Sequence, residues 1–155
     1  MWRGRRHSDR GPLFQARMID FVGCKAAFFC GDSVLTCLRD DKPGLFWPAQ
    51  WDLPGGGREN GEPPKTCLLR EREKEFGLAL PSDRLLWRCD VPALIDATRR
   101  SHFFAGRISA AGISALRFGE AGQFWQMMAL STFLIHPLGI PAVQDRTAQA
   151  WAALV

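Results

Sequence analysis

The segment that most restricts the fold runs from Trp51 to Leu78. It opens Trp51-Asp-Leu-Pro-Gly-Gly-Gly-Arg-Glu-Asn-Gly-Glu62 and, after Pro63 to Leu69, closes Arg70-Glu-Arg-Glu-Lys-Glu-Phe-Gly-Leu78. Gly55, Gly56 and Gly57 allow backbone conformations closed to other residues and leave no side chain in the way of a ligand. Proline suits the first turn of a helix, so Pro63-Pro64 can open one. Lys65 to Phe76 reads as that helix, with Gly77 where a C-terminal cap belongs. Glu71 and Glu75, spaced i and i+4, then share one face a turn apart. Hard cations such as Mg²⁺ take oxygen ligands, often carboxylates shared with substrate phosphates. Helix acids beside Arg70, Arg72 and Lys74 also fit a solvated, salt-bridged face. The glycine loop in front of them favours a metal–phosphate site.

The rest of the chain frames this segment. Cys24 to Cys30 is strand-like, Gly31-Asp32 makes a turn, and Ser33 to Arg39 reads as the returning strand of a hairpin. Asp40 to Pro54 is loop. Leu85–Val91, Ser101–Ile108 and Gln123–Ala129 read as further strands. Pro141 opens a last helix whose Val143, Ala150, Trp151 and Leu154 recur near helical spacing as one buried face. Strands, loop, helix, strands and helix, in that order, suggest a mixed sheet between helices. A length of 155 residues with 46% hydrophobic content fits one domain with a real core.

Charge and cysteines narrow the setting. Arg3, Arg5, Arg6, Arg10 and Arg17 face Asp9 alone, so residues 1–17 carry the whole formal excess of +4. They read as a basic, flexible arm ahead of a domain over residues 18–155. The arm is either a weak anion or nucleic-acid tether or a solvated tail. The second reading is favoured, and nucleic acid is not the expected partner. No run approaches a membrane span, and the N-terminus lacks the apolar stretch of a secretory signal. Cys24, Cys30, Cys37, Cys67 and Cys89 form no Cys-x-x-Cys pair and read as reduced, mostly buried residues. A cytoplasmic protein is expected.

The segment resembles the signature of the Nudix hydrolases: Gly, five residues, Glu, seven residues, then Arg-Glu-apolar-x-Glu-Glu-x-Gly-apolar. Gly56, Glu62, Arg70-Glu71, Glu75 and Gly77-Leu78 fall on its positions, and Trp51, Leu53 and Pro54 also resemble the family. Such a long pattern is far more specific than a lone glycine motif. The resemblance implies an α/β/α sandwich around a mixed sheet and a MutT-like pyrophosphohydrolase that uses Mg²⁺ or Mn²⁺. It implies metal binding by Glu71, Glu75 and the Gly56 carbonyl, with Arg70 orienting a catalytic carboxylate. Glu62 and Glu120 are auxiliary acids, each a ligand or base. The chain departs from the family pattern at three places: Arg72 stands at an apolar position, Lys74 at the first of the paired glutamates, and Ala121 at an acidic place after Glu120. Lys74 removes a ligand and adds a like charge beside the cation. Glu73 points to another face of the helix. These departures keep a second reading open, a nucleotide-binding module of the same fold with impaired catalysis.

Substrate contacts follow from the same frame. Gly55, Gly56 and Gly57 line the phosphate path. Relatives often carry a basic residue where Arg39 stands, so Arg39 is a phosphate contact or a solvated turn residue. Phe46, Trp47 and Trp125 are aromatic candidates to stack on a base, at most one of them doing so. His102 and His136 read as structural. The substrate is a nucleotide-like small molecule, and a homodimer is left open.

Overall fold

β1 (Gly23–Cys30) and β2 (Ser33–Leu38) form the expected hairpin about Gly31-Asp32, with Phe29 opposite Val34. The computed structural model describes residues 20–76, 84–117 and 124–155. The basic arm, Gly77, Glu120, Ala121 and Gln123 lie outside the described residues. β3 (Trp51–Asp52), β4 (Gly55–Gly57), β5 (Leu85–Pro92), β6 (Arg100–Arg107) and β7 (Phe124–Ala129) complete a seven-stranded sheet. Its main path runs β3-β2-β1-β6-β5, with β4 paired to β1 and β7 to β2. The β1–β6 pair is parallel and the other ladders are antiparallel, so the sheet is mixed as expected.

Helices cover both faces. α1 (Pro64–Phe76) and the short α2 (Ala110–Ser114) lie on one side. There Cys67 and Leu68 pack with Cys24, Ala26, Phe28 and Phe104, and Ile113 of α2 joins them. α3 (Leu130–Leu134) and α4 (Pro141–Leu154) lie on the other. There Phe133, Val143 and Ala150 pack with Ala27, Phe29, Phe103 and Ala105. β1 is buried on both faces, which explains its near-continuous apolar sequence. The result is the expected α/β/α sandwich.

The structure corrects the sequence reading in three places. Gly55 to Gly57 is not loop but the strand β4, antiparallel to β1 with Cys24 opposite Gly56. The approach is so close that a Cβ added at Gly55 would meet the Cys24 carbonyl oxygen and Lys25 Cα. The loop before it contains β3, whose Trp51 N–H donates to the Leu138 carbonyl at 2.7 Å. The third correction concerns α2 and α3. At five residues each they are too short to show a period, and the sequence did not reveal them.

Candidate active site

The site begins where β4 meets α1. α1 buries Cys67, Leu68, Glu71, Arg72 and Glu75 and exposes Lys65, Thr66, Glu73 and Lys74. Those buried positions recur at helical spacing, so one stripe faces the sheet although three of its members are ionisable. Glu71 packs against the glycine strand so tightly that a Cβ at Gly56 would run into its carboxyl. Only glycine leaves room for that carboxylate beside the backbone of β4.

Arg70 ties this corner together. Its Nη1 donates to Glu71 Oε1 at 2.6 Å, and its Nη2 donates to Glu62 Oε1 at 2.7 Å and to the Gly57 carbonyl at 2.9 Å. Its Nε donates to Glu62 Oε2 at 3.0 Å. Charge-assisted contacts of this kind are the strong class of hydrogen bonds. They hold the Glu62 carboxyl down at about 2, with Arg70 the main cause, and push the Arg70 guanidinium up. Glu75 behaves oppositely. Burial first, and then the neighbouring Glu71 charge, push its carboxyl up to about 7. Its Oε2 is buried with no hydrogen-bond partner among the described residues.

Arg72 fills the position where the signature has an apolar residue. Its guanidinium lies 3.9 Å from the centre of the Phe28 ring and is almost fully buried. A cation over an aromatic face is attracted by the ring quadrupole, so the substitution keeps the packing of the apolar position. Burial pushes the guanidinium down to about 10, against the pull of Glu75.

A second cluster stands on the other side of β4. Asp52, 2% exposed, accepts from Lys25 Nζ at 2.7 Å and 2.8 Å, from Arg39 Nη1 at 3.2 Å, and from the Leu53 N–H at 2.7 Å. One buried carboxylate thus fixes two cations, leaving a local excess of positive charge. Lys25, Arg39, Asp52 and Gly55 form the shared wall of two cavities. The smaller, about 260 Å³, also contains Glu75, Cys37 and Trp125. The larger, about 320 Å³, has Trp47, Phe103, Val91 and Leu94 on its walls together with Gly55, Gly56 and Gly57. Trp47 has φ 54°, an uncommon left-handed conformation for a bulky residue, which marks the loop as locally constrained. Arg39 Nε donates to the Phe46 carbonyl at 3.1 Å, so it holds that loop as well as Asp52.

The structure therefore brings together Glu62, Arg70, Glu71, Glu75 and the glycines, and it places Arg39 and Trp47 in the adjoining cavity. Trp125 lies in the smaller cavity with Glu75, and Phe46 is 55% exposed at the rim of the larger. The Lys74 side chain is exposed. His102 stacks edge-on against Phe21 at 5.0 Å, and His136 Nδ1 accepts from the Leu138 N–H at 3.0 Å, both structural contacts. All five cysteines are free; Cys30 and Cys89 are half-buried and the others buried. Lys25 and Asp52 were not recognised in the sequence. Their signals were a lone cation inside an apolar strand and an acid two residues before the Pro54-Gly55 step.

A mixed sheet between helices, with a glycine strand pressed against a carboxylate-bearing helix, is a fold shared with known proteins. The NUDIX domain model matches residues 26–139, and the chain belongs to the Nudix family. The MutT protein from Methanosarcina mazei Go1 is 15% identical, with 87% of this chain and 96% of that one covered and a TM-score of 0.66. The MutT NUDIX hydrolase from Burkholderia pseudomallei is 25% identical over 83% of this chain and 96% of that one, with a TM-score of 0.61. The NUDIX domain of Shewanella oneidensis NrtR, complexed with ADP ribose, is 19% identical over 96% of each chain, with a TM-score of 0.63. No curated protein matches the chain. Nudix enzymes are hydrolases of nucleotide pyrophosphates and generally use a divalent metal.

The residues present fit such a metal. Among the described residues no cluster of three or more His, Cys, Asp or Glu side chains is set to hold an ion. Mg²⁺, however, usually keeps several waters and binds the protein through one or two carboxylates. Glu71 and Glu75 are two buried carboxylates on one helix face, and the unpartnered Glu75 Oε2 is a buried acceptor that a cation would satisfy.

Proposed function

We propose that this chain hydrolyses a pyrophosphate linkage in a nucleoside di- or triphosphate or a related nucleotide derivative. The observation that carries the reading is the pair of buried carboxylates on α1: Glu71, set against the Gly56 backbone and fixed by Arg70, and Glu75 one turn further on. Glu71, Glu75 and the Gly56 carbonyl would hold Mg²⁺ or Mn²⁺. Bound there, the metal supplies Lewis acidity toward the phosphoryl oxygens and lowers the pKa of a coordinated water. The net reaction adds water across the P–O–P bond, one phosphorus gaining the hydroxyl oxygen and the bridging oxygen leaving with the other.

The chain's own groups divide the remaining work. Arg70 keeps Glu71 in one rotamer, a preorganisation that costs no reordering when substrate arrives. Glu62, saturated by Arg70 and held at about 2, anchors that arginine. A general base works best with a pKa near the working pH, which Glu62 lacks. Glu120 stays the candidate downstream acid. Arg39 and Lys25, locked by Asp52, offer donors to substrate phosphate at the junction of the cavities. Trp47 is the candidate platform for the base. The free cysteines agree with action in the cytoplasm.

A second reading, a nucleotide-binding module with impaired catalysis, draws on Lys74 and Ala121 at usual acidic positions. A phosphate-release screen of nucleoside triphosphates, dinucleotides and nucleotide sugars with Mg²⁺ and Mn²⁺ separates the two. Metal-dependent turnover of any of them supports the hydrolase. Saturable binding without turnover supports the module.

A further inference from the structure

The larger cavity has a cation on its wall besides the two fixed by Asp52. Lys25 and Arg39 already share the junction with the Glu75 chamber. Arg146, reaching in from α4, is a third cation on the wall, and the saturated Asp52 is the only acid there among the described residues. Arg146 uses Nη2 to donate to the Pro92 carbonyl at 2.7 Å and forms no ion pair among the described residues. A guanidinium has five N–H donors in a fixed fork, so most of its donors are left over. Burial pushes this guanidinium down, with Arg100 adding to the effect. A half-buried guanidinium with unused donors on a cavity wall is a ready partner for an anion.

The surroundings indicate what kind of ligand would complete it. Val91, Leu94, Phe103 and Trp47 line the same cavity as Lys25, Arg39 and Arg146. A volume of about 320 Å³ is of ligand-pocket size. The lining thus combines the Lys25–Arg39 pair, apolar and aromatic side chains, and a separate cation carried by α4. It matches a molecule with a diphosphate, an apolar or aromatic body, and a further anion. We propose that the larger cavity selects nucleotide derivatives bearing a phosphomonoester in addition to the scissile diphosphate, with Arg146 as the ligand of that second phosphate. The inference rests on the hydrolase reading only for the placement of the diphosphate.

The test uses matched pairs that differ by one phosphomonoester: NADP⁺ against NAD⁺, and coenzyme A against dephospho-coenzyme A. Affinities are measured by calorimetry in EDTA, where metal-dependent turnover is suppressed, for the full chain, Arg146→Met and Arg146→Lys. The expected result is that the wild-type chain binds the phosphorylated member of at least one pair about tenfold more tightly, the scale of one charge-assisted contact. Arg146→Met brings that ratio to about one without weakening the unphosphorylated member, and Arg146→Lys retains part of it. A wild-type ratio of one or less in both pairs overturns the proposal, as does a ratio that survives Arg146→Met. Thermal unfolding of each variant confirms that it folds, and Arg146→Lys carries the test if Arg146→Met does not. If the phosphorylated ligands are preferred but nothing is hydrolysed when Mg²⁺ is restored, the hydrolase reading fails and the specificity stands. Hydrolysis of NAD⁺ or dephospho-coenzyme A with no preference in binding overturns the specificity and leaves the hydrolase reading standing.

Discussion

α1 and α4 lie on opposite faces of one sheet and bury stripes of similar helical spacing, yet the stripes differ in chemistry. α4 turns Val143, Thr147 and Ala150 to the core, and Thr147 satisfies its hydroxyl within the helix by donating to the Val143 carbonyl at 2.6 Å. α1 turns Cys67 and Leu68 inward and then Glu71, Arg72 and Glu75. Burying charge costs free energy unless each group finds a partner. Glu71 has Arg70, and Arg72 has the Phe28 ring, whereas Glu75 meets the cost by a raised pKa. Spacing therefore tells which face meets the sheet. The residue types on that face tell whether it is built for stability or for chemistry.

The sharpest way to break this comparison is to remove charge from α1 without changing its shape. Glu71→Gln should lower metal-dependent hydrolysis by at least about 100-fold, since losing even an outer-shell partner of a metal ligand costs about 10- to 100-fold. It should leave the melting temperature unchanged or higher. Steady-state rates and thermal unfolding of the same preparation check both. A stability loss with activity kept would place Glu71 among the structural residues.

Glu75 makes the next largest prediction, in pH. Its folded-state pKa of about 7 lies above the ordinary 4.5, so the folded chain holds that proton more tightly than the unfolded chain does. The sign follows: stability is greatest while Glu75 is protonated and falls as pH rises through 7. Without divalent metal the loss between about pH 5 and about pH 8 should be on the order of 2 kcal/mol. Circular-dichroism melts across that range should show it in the wild-type chain, and Glu75→Gln should flatten the curve. An identical pH dependence in both proteins would remove Glu75 as its cause.

On the α4 side the expectation is reversed. Val143→Ala leaves a small cavity and should cost about 1–2 kcal/mol of stability with kcat and KM unchanged at temperatures where the protein stays folded. Chemical denaturation and kinetics on one accepted substrate measure the pair of quantities. The smallest effect belongs to Lys74. Because its side chain is exposed, Lys74→Glu should raise Mg²⁺ affinity and turnover only about threefold, as a flexible side chain must be ordered to reach the ion. An unchanged or lower affinity would end the idea that Lys74 stands at a vacated ligand position.

Much of this was legible along the chain because it is local. The hairpin at Gly31-Asp32, the limits of α1 and α4, and β5, β6 and β7 all follow from short-range periodicity and turn residues. The Arg70–Glu71 contact joins neighbours in sequence, and the Arg70–Glu62 contact spans only eight residues. β4 was not legible, since three glycines carry no side-chain alternation to read. Nor was the Asp52 cluster, because Lys25 and Asp52 lie 27 residues apart and meet only through the sheet. Arg146 meets Pro92 across 54 residues, so its place in the cavity is a product of packing α4 on the sheet. Exposure of Lys74 was likewise undecided by sequence, for a long side chain at the edge of a buried stripe can lie on either side of it.

The central claim is that Glu71 and Glu75 form one cation site, and calorimetric titration with Mn²⁺ at pH 7 in two buffers of different ionisation enthalpy tests it most directly. With a pKa near 7, Glu75 is about half protonated at that pH, so binding should release about half a proton per ion. The wild-type chain should show saturable binding with that release. Glu75→Gln should bind at least about tenfold more weakly and release none, and Glu71→Gln should also lose affinity. Equal Mn²⁺ affinity and proton release in the wild-type chain and both variants would contradict the account, because the ion would then be held somewhere other than these two carboxylates.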